Sequence, residues 1–342
     1  MSLGLLLITT VIFAGGSLVA GGVLYWKPSI EAENREETTA EGTIKKWGWK
    51  GGVEVQDYQG GTTVVSRKDV IDVWRDEERS KEYRNVLESG DVAAFKEFVK
   101  SAKTDNPDRE EALRELMLMS LSGWTLSDAI AIHQQYLKEH PDGNFLAMAH
   151  QQLASLQAQA KKSDDALKTY GEMEKLLGKH KAYACFKAGE IHLNGGKFED
   201  AQRKFAEAQK EAETVRDENL LVAALGFGGE ALLRLKKNDE AKKNFETLFE
   251  KNTFKGIMTT DGNVARGIAH KGLGDLDGDT EAAYTHYQKA SYWLGGNIRE
   301  GQCVLRMMQI AEALSTKGEK WADRADKLRK IMQARWPELL KT

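Results

Sequence analysis

Three aspartates at alternate positions open the stretch DLDGDTEAAYTHYQKA, residues 275–290, and oxygen ligands spaced in this way could bind calcium. A calcium loop of the EF-hand type also needs a glycine at its sixth position and a bidentate carboxylate at its twelfth. Counted from Asp275, those positions hold Thr280 and His286, so both requirements fail. The sequence therefore predicts no metal site here, and we interpret the stretch as a turn in which Asp279 or Thr280 caps the following helix.

The other residues that could carry chemistry form no catalytic or cofactor-binding pattern. None of the seven histidines stands in an HExxH motif or at a paired metal-binding spacing. Cys185 and Cys303 have no cysteine or histidine at zinc-site spacing and are interpreted as buried free thiols. Gly272, Gly274 and Gly278 do not follow a strand, and we expect them in an interhelical turn rather than a dinucleotide loop. We therefore expect neither an enzyme nor a bound cofactor.

The charges of the chain nearly balance, with 49 lysines and arginines against 52 aspartates and glutamates. A dedicated nucleic-acid-binding protein usually carries a basic excess, so this class is excluded. The 342 residues include only 4 prolines but 32 glycines. Such a composition is typical of many short helices joined by glycine turns.

The N-terminal residues 3–26 contain no charged side chain. At 1.5 Å per residue, a helix of this length spans the ~30 Å hydrocarbon core of a bilayer. Tyr25 and Trp26 stand at its end, where aromatic rings favour the membrane interface. No basic residue precedes the run, and it is longer than the apolar part of a signal peptide, so we expect an uncleaved transmembrane helix.

Small residues in this segment stand four apart, namely Gly16 with Ala20 and Ser17 with Gly21. This spacing lets two helix backbones approach closely and favours self-association or packing against another membrane subunit. The alternative is that glycine is simply common in membrane helices.

Basic residues follow the segment, beginning with Lys27 and Arg35, and none precedes it. The positive-inside rule therefore favours a cytoplasmic C-terminal domain, although long domains can cross regardless of charge and the periplasmic side stays open. We expect a single-pass protein of a bacterial inner membrane.

A polar linker is predicted over residues 27–41, followed by a small β-like segment over residues 42–73. Within that segment residues 53–56 alternate, two glycines interrupt, and β-branched residues resume at 62–65. This pattern predicts a hairpin in a sheet of about three strands. From residue 74 to residue 342 the pattern is helical.

Four stretches of the helical part repeat one motif, a small residue followed by an aromatic four later and an apolar residue three after that. These are Ala166/Tyr170/Met173, Ala201/Phe205/Ala208, Ala241/Phe245/Leu248 and Ala283/Tyr287/Ala290. The motif resembles the second helix of the tetratricopeptide repeat (TPR). The resemblance covers about residues 108–338 and implies an α-solenoid of helical hairpins, preceded by the transmembrane helix and the β-like segment.

The first helices match the same family in part. The pairs Leu153–Ala154, Ala188–Gly189 and Gly228–Gly229 stand twelve to thirteen residues before their alanine. In the fourth repeat His270 and Lys271 take this place, so we expect a shifted or shortened first helix. Two flanking hairpins fit more loosely, with His133 and Arg329 where an aromatic is usual. A charged residue at that position suits a terminal repeat.

In this family first helices line a concave surface that binds partners. The resemblance implies that six residues face this groove, although packing between repeats could claim the aromatic ones: Tyr183, Phe186, Glu190, Asn194, Glu230 and Arg234. We expect a membrane-anchored adaptor that binds protein partners. The alternative is a structural subunit packed permanently in a larger membrane assembly.

Overall fold

The computed structural model describes nine stretches of the chain, namely residues 22–26, 38–48, 52–56, 59–65, 70–75, 79–176, 178–251, 260–296 and 298–341. The chain divides into two compact units, Met1–Arg79 and Ser80–Thr342.

The described residues of the first unit form a five-stranded antiparallel sheet in the order β4-β3-β2-β1-β5. Its strands are β1 Gly22–Trp26, β2 Thr38–Gly48, β3 Gly52–Gln56, β4 Thr62–Val65 and β5 Val70–Arg75. The predicted hairpin is confirmed, since Gln56 of β3 pairs with Thr62 of β4.

Two predicted boundaries were wrong around this sheet. The linker does not extend to residue 41, because β2 begins at Thr38 with two β-branched threonines. The helical pattern does not begin at Trp74, which lies in β5, and the first helix among the described residues starts at Lys81. In VIDVWR of β5 apolar and polar residues partly alternate, and this period of two suits a strand.

The prediction of a transmembrane helix over residues 3–26 was wrong for its last five residues. Gly22–Trp26 forms β1, in which Leu24 pairs with both Ala40 and Val73. Aromatic and β-branched residues suit a strand, and a continuous apolar run does not distinguish strand from helix by its period. Residues 1–21, with the small residues Gly16, Ser17, Ala20 and Gly21, lie outside the described residues. Among the described residues, no helix combines the length and apolarity needed to cross a bilayer.

The described residues of the second unit form helices joined by turns. Its described helices are α1 Lys81–Ser89, α2 Val92–Ser101, α3 Pro107–Ser120, α4 Leu126–Glu139, α5 Leu146–Gln159, α6 Ser163–Glu174, α7 Gly178–Asn194, α8 Phe198–Thr214, α9 Glu218–Arg234, α10 Asn238–Lys251, α11 Thr260–Asp277, α12 Glu281–Trp293, α13 Ile298–Ala313 and α14 Glu319–Arg335. Each packs against the next along the chain. The predicted repeats are the hairpins α5–α6, α7–α8, α9–α10 and α11–α12, and the looser ones are α3–α4 and α13–α14.

The repeat motif marks where helices cross. All four motif alanines are fully buried, and so are Phe205 and Phe245. A Cβ atom at Gly189 of α7 would lie only 2.7 Å from Cε1 of Phe205, so the absence of a side chain there makes room for the ring. Phe245 of α10 lies between Gly229 of α9 and Gly272 of α11 in the same way. The predicted alanine and aromatic positions are confirmed.

The first helix of the fourth hairpin is not shortened, because α11 has 18 residues, and the glycines in it were misplaced. Gly272 and Gly274 lie inside α11, and only Gly278, with φ of 68°, is in the turn. A Cβ atom at Gly274 would lie 2.9 Å from Tyr287, so Gly274 takes the role of Gly189. It stands nine residues before its motif alanine, closer than in the other repeats.

The flanking hairpins differ at the aromatic position. His133 is fully buried, and its Nε2 lies 2.9 Å from the Gln152 amide oxygen. Arg329 is instead exposed and pairs with Glu312 and Asp326. A solvated arginine at this position is consistent with a terminal repeat.

Candidate functional site

The first helices of successive hairpins form one layer. Contacts join α5 to α7, α7 to α9 and α9 to α11. Lys187 of α7 even reaches past α9, and its Nζ lies 2.9 Å from Asp261 of α11. Packed helices are ~8–10 Å apart, so two helices separated by a third meet only if the layer curves towards that side. We call the surface made by α7, α9, α11 and α13 the groove.

Lys187 contacts several side chains at one end of the groove. Its Nζ lies 2.8 Å from Glu190 and 5.0 Å from the ring centre of Phe186. Burial would lower the pKa of Lys187, but the carboxylates of Glu190 and Asp261 outweigh it and raise that pKa above its ordinary value. Burial also raises the pKa of Glu190, against the opposing effect of Lys187. This end of the groove therefore contains a partly buried ion cluster.

The other end of the groove contains a cavity of about 660 Å³ between α9, α11 and α13. Glu230 lies there, 3.5 Å from Arg299 and 3.7 Å from Arg234. Lys271 pairs with Asp275 at 2.7 Å. Aliphatic side chains complete the lining, among them Leu233, Ile268 and Ile298. The cavity thus offers charged groups of both signs beside apolar surface.

The structure separates the six residues expected in the groove. Glu230 and Arg234 line the large cavity, and Tyr183 is partly buried against the core. Asn194 is exposed at a separate cavity of about 320 Å³ between α5, α6 and α7.

Two of the six have other roles. Phe186 is fully buried and packs against Phe205 and Phe227, so its assignment to an open groove was wrong. A large apolar ring on this helix belongs to the packing between repeats. Glu190 is largely committed to its ion pair with Lys187.

Sequence reasoning missed three groove residues, Lys187, Asp261 and Arg299. Lys187 stands three residues before Glu190, a helical pair spacing that was visible. Asp261 and Arg299 carry no such local signal, because each meets a residue of a distant hairpin.

Cys185 and Cys303 are buried free thiols, as predicted. Cys185 lies in a cluster with Glu174 and Glu207 whose ligand atoms are within 4.8 Å of one another. The Nζ of Lys204 lies 2.8 Å from Glu174 and 3.0 Å from Glu207, so a lysine already supplies the positive charge. Burial raises the pKa of Cys185 to about 12, which keeps the thiol protonated. The cluster holds α6, α7 and α8 together.

The three aspartates of the opening stretch have three different partners. Asp275 accepts from the Tyr287 hydroxyl and pairs with Lys271. Asp277 lies 3.8 Å from Nε2 of His286, and Asp279 accepts from Arg306 at 3.1 Å.

The following helix begins as expected. Thr280 is the N-cap of α12, and its hydroxyl accepts from the backbone N–H of Ala283 at 3.1 Å. The predicted turn is confirmed at residues 278–280, whereas Asp275 and Asp277 lie in the last turn of α11.

Comparison with solved structures returns proteins of low sequence identity. PilF of Pseudomonas aeruginosa is 16% identical with a TM-score of 0.49, over 67% of this chain and 92% of that one. The apo form of RapI is 12% identical with a TM-score of 0.49, over 75% and 74%. YrrB, described as a TPR protein with an unusual peptide-binding site, is 15% identical with a TM-score of 0.41, over 62% and 96%.

No protein-family model matches the sequence, and no curated protein matches it. The fold instead follows from the chain's own packing. Buried alanines lie at the helix crossings, aromatic rings fill the space opposite glycines, and first helices form one curved layer. The helical unit has the fold of tetratricopeptide-repeat proteins.

Proposed function

We propose that this protein is a non-enzymatic scaffold that binds a segment of a protein partner in the groove. The observation that carries the proposal is the cavity of about 660 Å³ between α9, α11 and α13. Its volume is in the ~300–1,000 Å³ range of ligand pockets. Stacked helical hairpins build extended concave surfaces of this kind and use them for binding.

The charge pattern of the cavity favours an acidic partner segment with aliphatic neighbours. Arg234 is 58% exposed and lies 3.7 Å from Glu230, and Arg299 lies 3.5 Å from the same residue. The Arg234–Glu230 separation exceeds the ~2.7–2.9 Å of a charge-assisted hydrogen bond, so a partner carboxylate can approach the exposed guanidinium group of Arg234 and bind bidentately. Leu233 and Ile298 line the same cavity and offer apolar contacts beside that carboxylate.

Fluorescence anisotropy with labelled synthetic peptides tests this chemistry. Peptides of alternating Glu and Leu should bind the protein, whereas matched peptides of Lys and Leu should not. Arg234→Glu and Arg299→Glu should each weaken binding, and added salt should weaken it further. The matched control is Arg203→Glu, an exposed arginine of α8 paired within its own helix. Equal binding of acidic and basic peptides would contradict the proposal.

We further propose that residues 3–21 anchor the protein in a membrane. The support comes from the sequence, because this uncharged run precedes β1 and would span about 28 Å as a helix, close to the ~30 Å core of a bilayer. The basic residues that follow this run favour a protein of a bacterial inner membrane whose helical unit lies in the cytoplasm. A periplasmic unit is the alternative, and protease protection in intact spheroplasts distinguishes the two.

The small-residue spacing of Gly16 and Ala20 favours a second candidate function, a permanent subunit of a membrane assembly. Native mass measurement after mild detergent extraction separates the candidates. A protein that extracts alone and binds acidic peptides supports the scaffold. A complex of fixed stoichiometry that survives extraction supports the subunit.

A further inference from the structure

Two histidines meet between the helices of the fourth hairpin, and neither of them lines the cavity of the groove. His270 of α11 and His286 of α12 are both partly buried, and their Nδ1 atoms are 3.2 Å apart. Their ring centres are 5.4 Å apart with the planes inclined at 42°. The Nδ1 atoms of the two rings therefore lie close enough to contact one ion between the helices.

Neighbouring side chains hold both rings in place. Phe249 of α10 stacks on His270, with ring centres 4.4 Å apart and planes inclined at 28°. Asp277 lies 3.8 Å from Nε2 of His286, the nitrogen that faces away from His270. A carboxylate beside one imidazole nitrogen favours the proton there and leaves the lone pair on the other. On His286 that lone pair is on Nδ1, which faces His270.

We propose that His270 and His286 are the protein ligands of a zinc-class transition-metal site whose remaining positions are taken by water. Zinc binds imidazole nitrogen at ~2.0–2.1 Å in tetrahedral geometry, which separates two such ligands by about 3.3 Å. The observed 3.2 Å matches that separation. Asp277 then plays the part that carboxylates commonly play behind a metal-bound histidine.

The cations Lys289 and Arg266 act on His270 and oppose a metal ion, so this two-ligand site is weaker than a four-ligand structural zinc site.

The site differs in chemistry from the calcium loop considered for the same stretch. Imidazole suits zinc, copper and nickel, whereas calcium prefers oxygen ligands. It would also link α11 to α12, and α11 carries Lys271 and Asp275 of the groove cavity. Bound metal would thus stabilise one wall of the groove.

Isothermal titration of the metal-free full chain with zinc chloride tests the proposal. We expect one saturable site in the unaltered protein, none in His270→Gln or His286→Gln, and binding weakened by roughly 10- to 100-fold in Asp277→Asn. His192→Gln, a substitution on α7, is the matched control and should bind as the unaltered chain does. Retained binding in both histidine variants, or none in the unaltered chain, would show that the pair forms only an N–H···N hydrogen bond.

Spectroscopy of the unaltered chain guards against variants that fail to fold. Copper(II) bound at this site should show electron paramagnetic resonance couplings to two imidazole nitrogens. A copper signal without two coupled nitrogens would overturn the proposal, whatever the variants do.

Discussion

Phe205 and Gly189 provide the sharpest test of the repeat packing. Phe205 is fully buried, and a Cβ atom at Gly189 would lie 2.7 Å from its ring. Gly189→Ala alone therefore overpacks the crossing and costs about 1–3 kcal/mol of unfolding free energy. Phe205→Ala alone leaves a cavity and costs about 3–5 kcal/mol.

Combining the two substitutions should reverse the sign of the change in unfolding free energy that Gly189→Ala causes. Once the ring is absent, the new methyl group enters vacated space, and alanine is favoured over glycine inside a helix by about 1 kcal/mol. Gly189→Ala should therefore be neutral or stabilising in the Phe205→Ala background. The resulting coupling of about 2 kcal/mol is in the range measured for residues in contact.

Urea melts of the helical unit beginning at Ser80, followed by circular dichroism, measure all four corners of this cycle. Ala206→Leu is the matched control, since Ala206 is exposed on the same helix and should change stability by no more than about 0.5 kcal/mol. Ala201→Leu, at the buried crossing, should cost about 1–3 kcal/mol. The reasoning is refuted if Gly189→Ala has the same effect in both backgrounds, or if Ala206→Leu is as damaging as Ala201→Leu.

Three further predictions concern the anchor, calcium and pH. Removal of residues 1–21 should move the protein from the membrane pellet to the supernatant on ultracentrifugation; a truncated chain that still pellets would contradict the anchor. Calcium or EGTA should leave the melting temperature unchanged, because Asp275, Asp277 and Asp279 have separate partners; a shift of several degrees would contradict this. Burial lowers the pKa of His150 from 6.5 to about 4. The unfolded chain therefore binds this proton at higher pH, so the free energy of unfolding should fall as pH drops from about 6.5 to about 4. His150→Leu should flatten that slope in acid melts, and an unchanged slope would show that other groups cause it.

The second helices of the repeats were readable from the sequence because their signal is local. Ala201, Phe205 and Ala208 lie on one face of one helix, so spacing alone predicts their burial. The same reasoning failed for Phe186, whose position on the inner helix is compatible with both the groove and the core. Its contacts with Phe205 and with Phe227 of the next hairpin decide between them.

Contacts between distant parts of the chain could not be predicted from the spacing of residues in the sequence. Lys187 and Asp261 meet across an intervening helix, and the amount of curvature that allows this is a property of the whole stack. His270 and His286 are sixteen residues apart in an ordinary helical pattern. Their contact joins two helices, so the spacing within either helix does not predict it.

The ring of Phe245 is held between Gly229 of α9 and Gly272 of α11. This contact couples the unfolding of the third hairpin to that of the fourth. In a linear array of repeats, stability is a sum of terms within each repeat and terms between neighbours. Phe245 belongs to the third hairpin and is buried by the fourth, so it contributes to the stability term between neighbouring repeats. Opening of either hairpin therefore exposes the ring and raises the free energy of the other. Amide hydrogens of α9 to α12 should consequently exchange through one common opening, with fraying from the C-terminus halted at this ring.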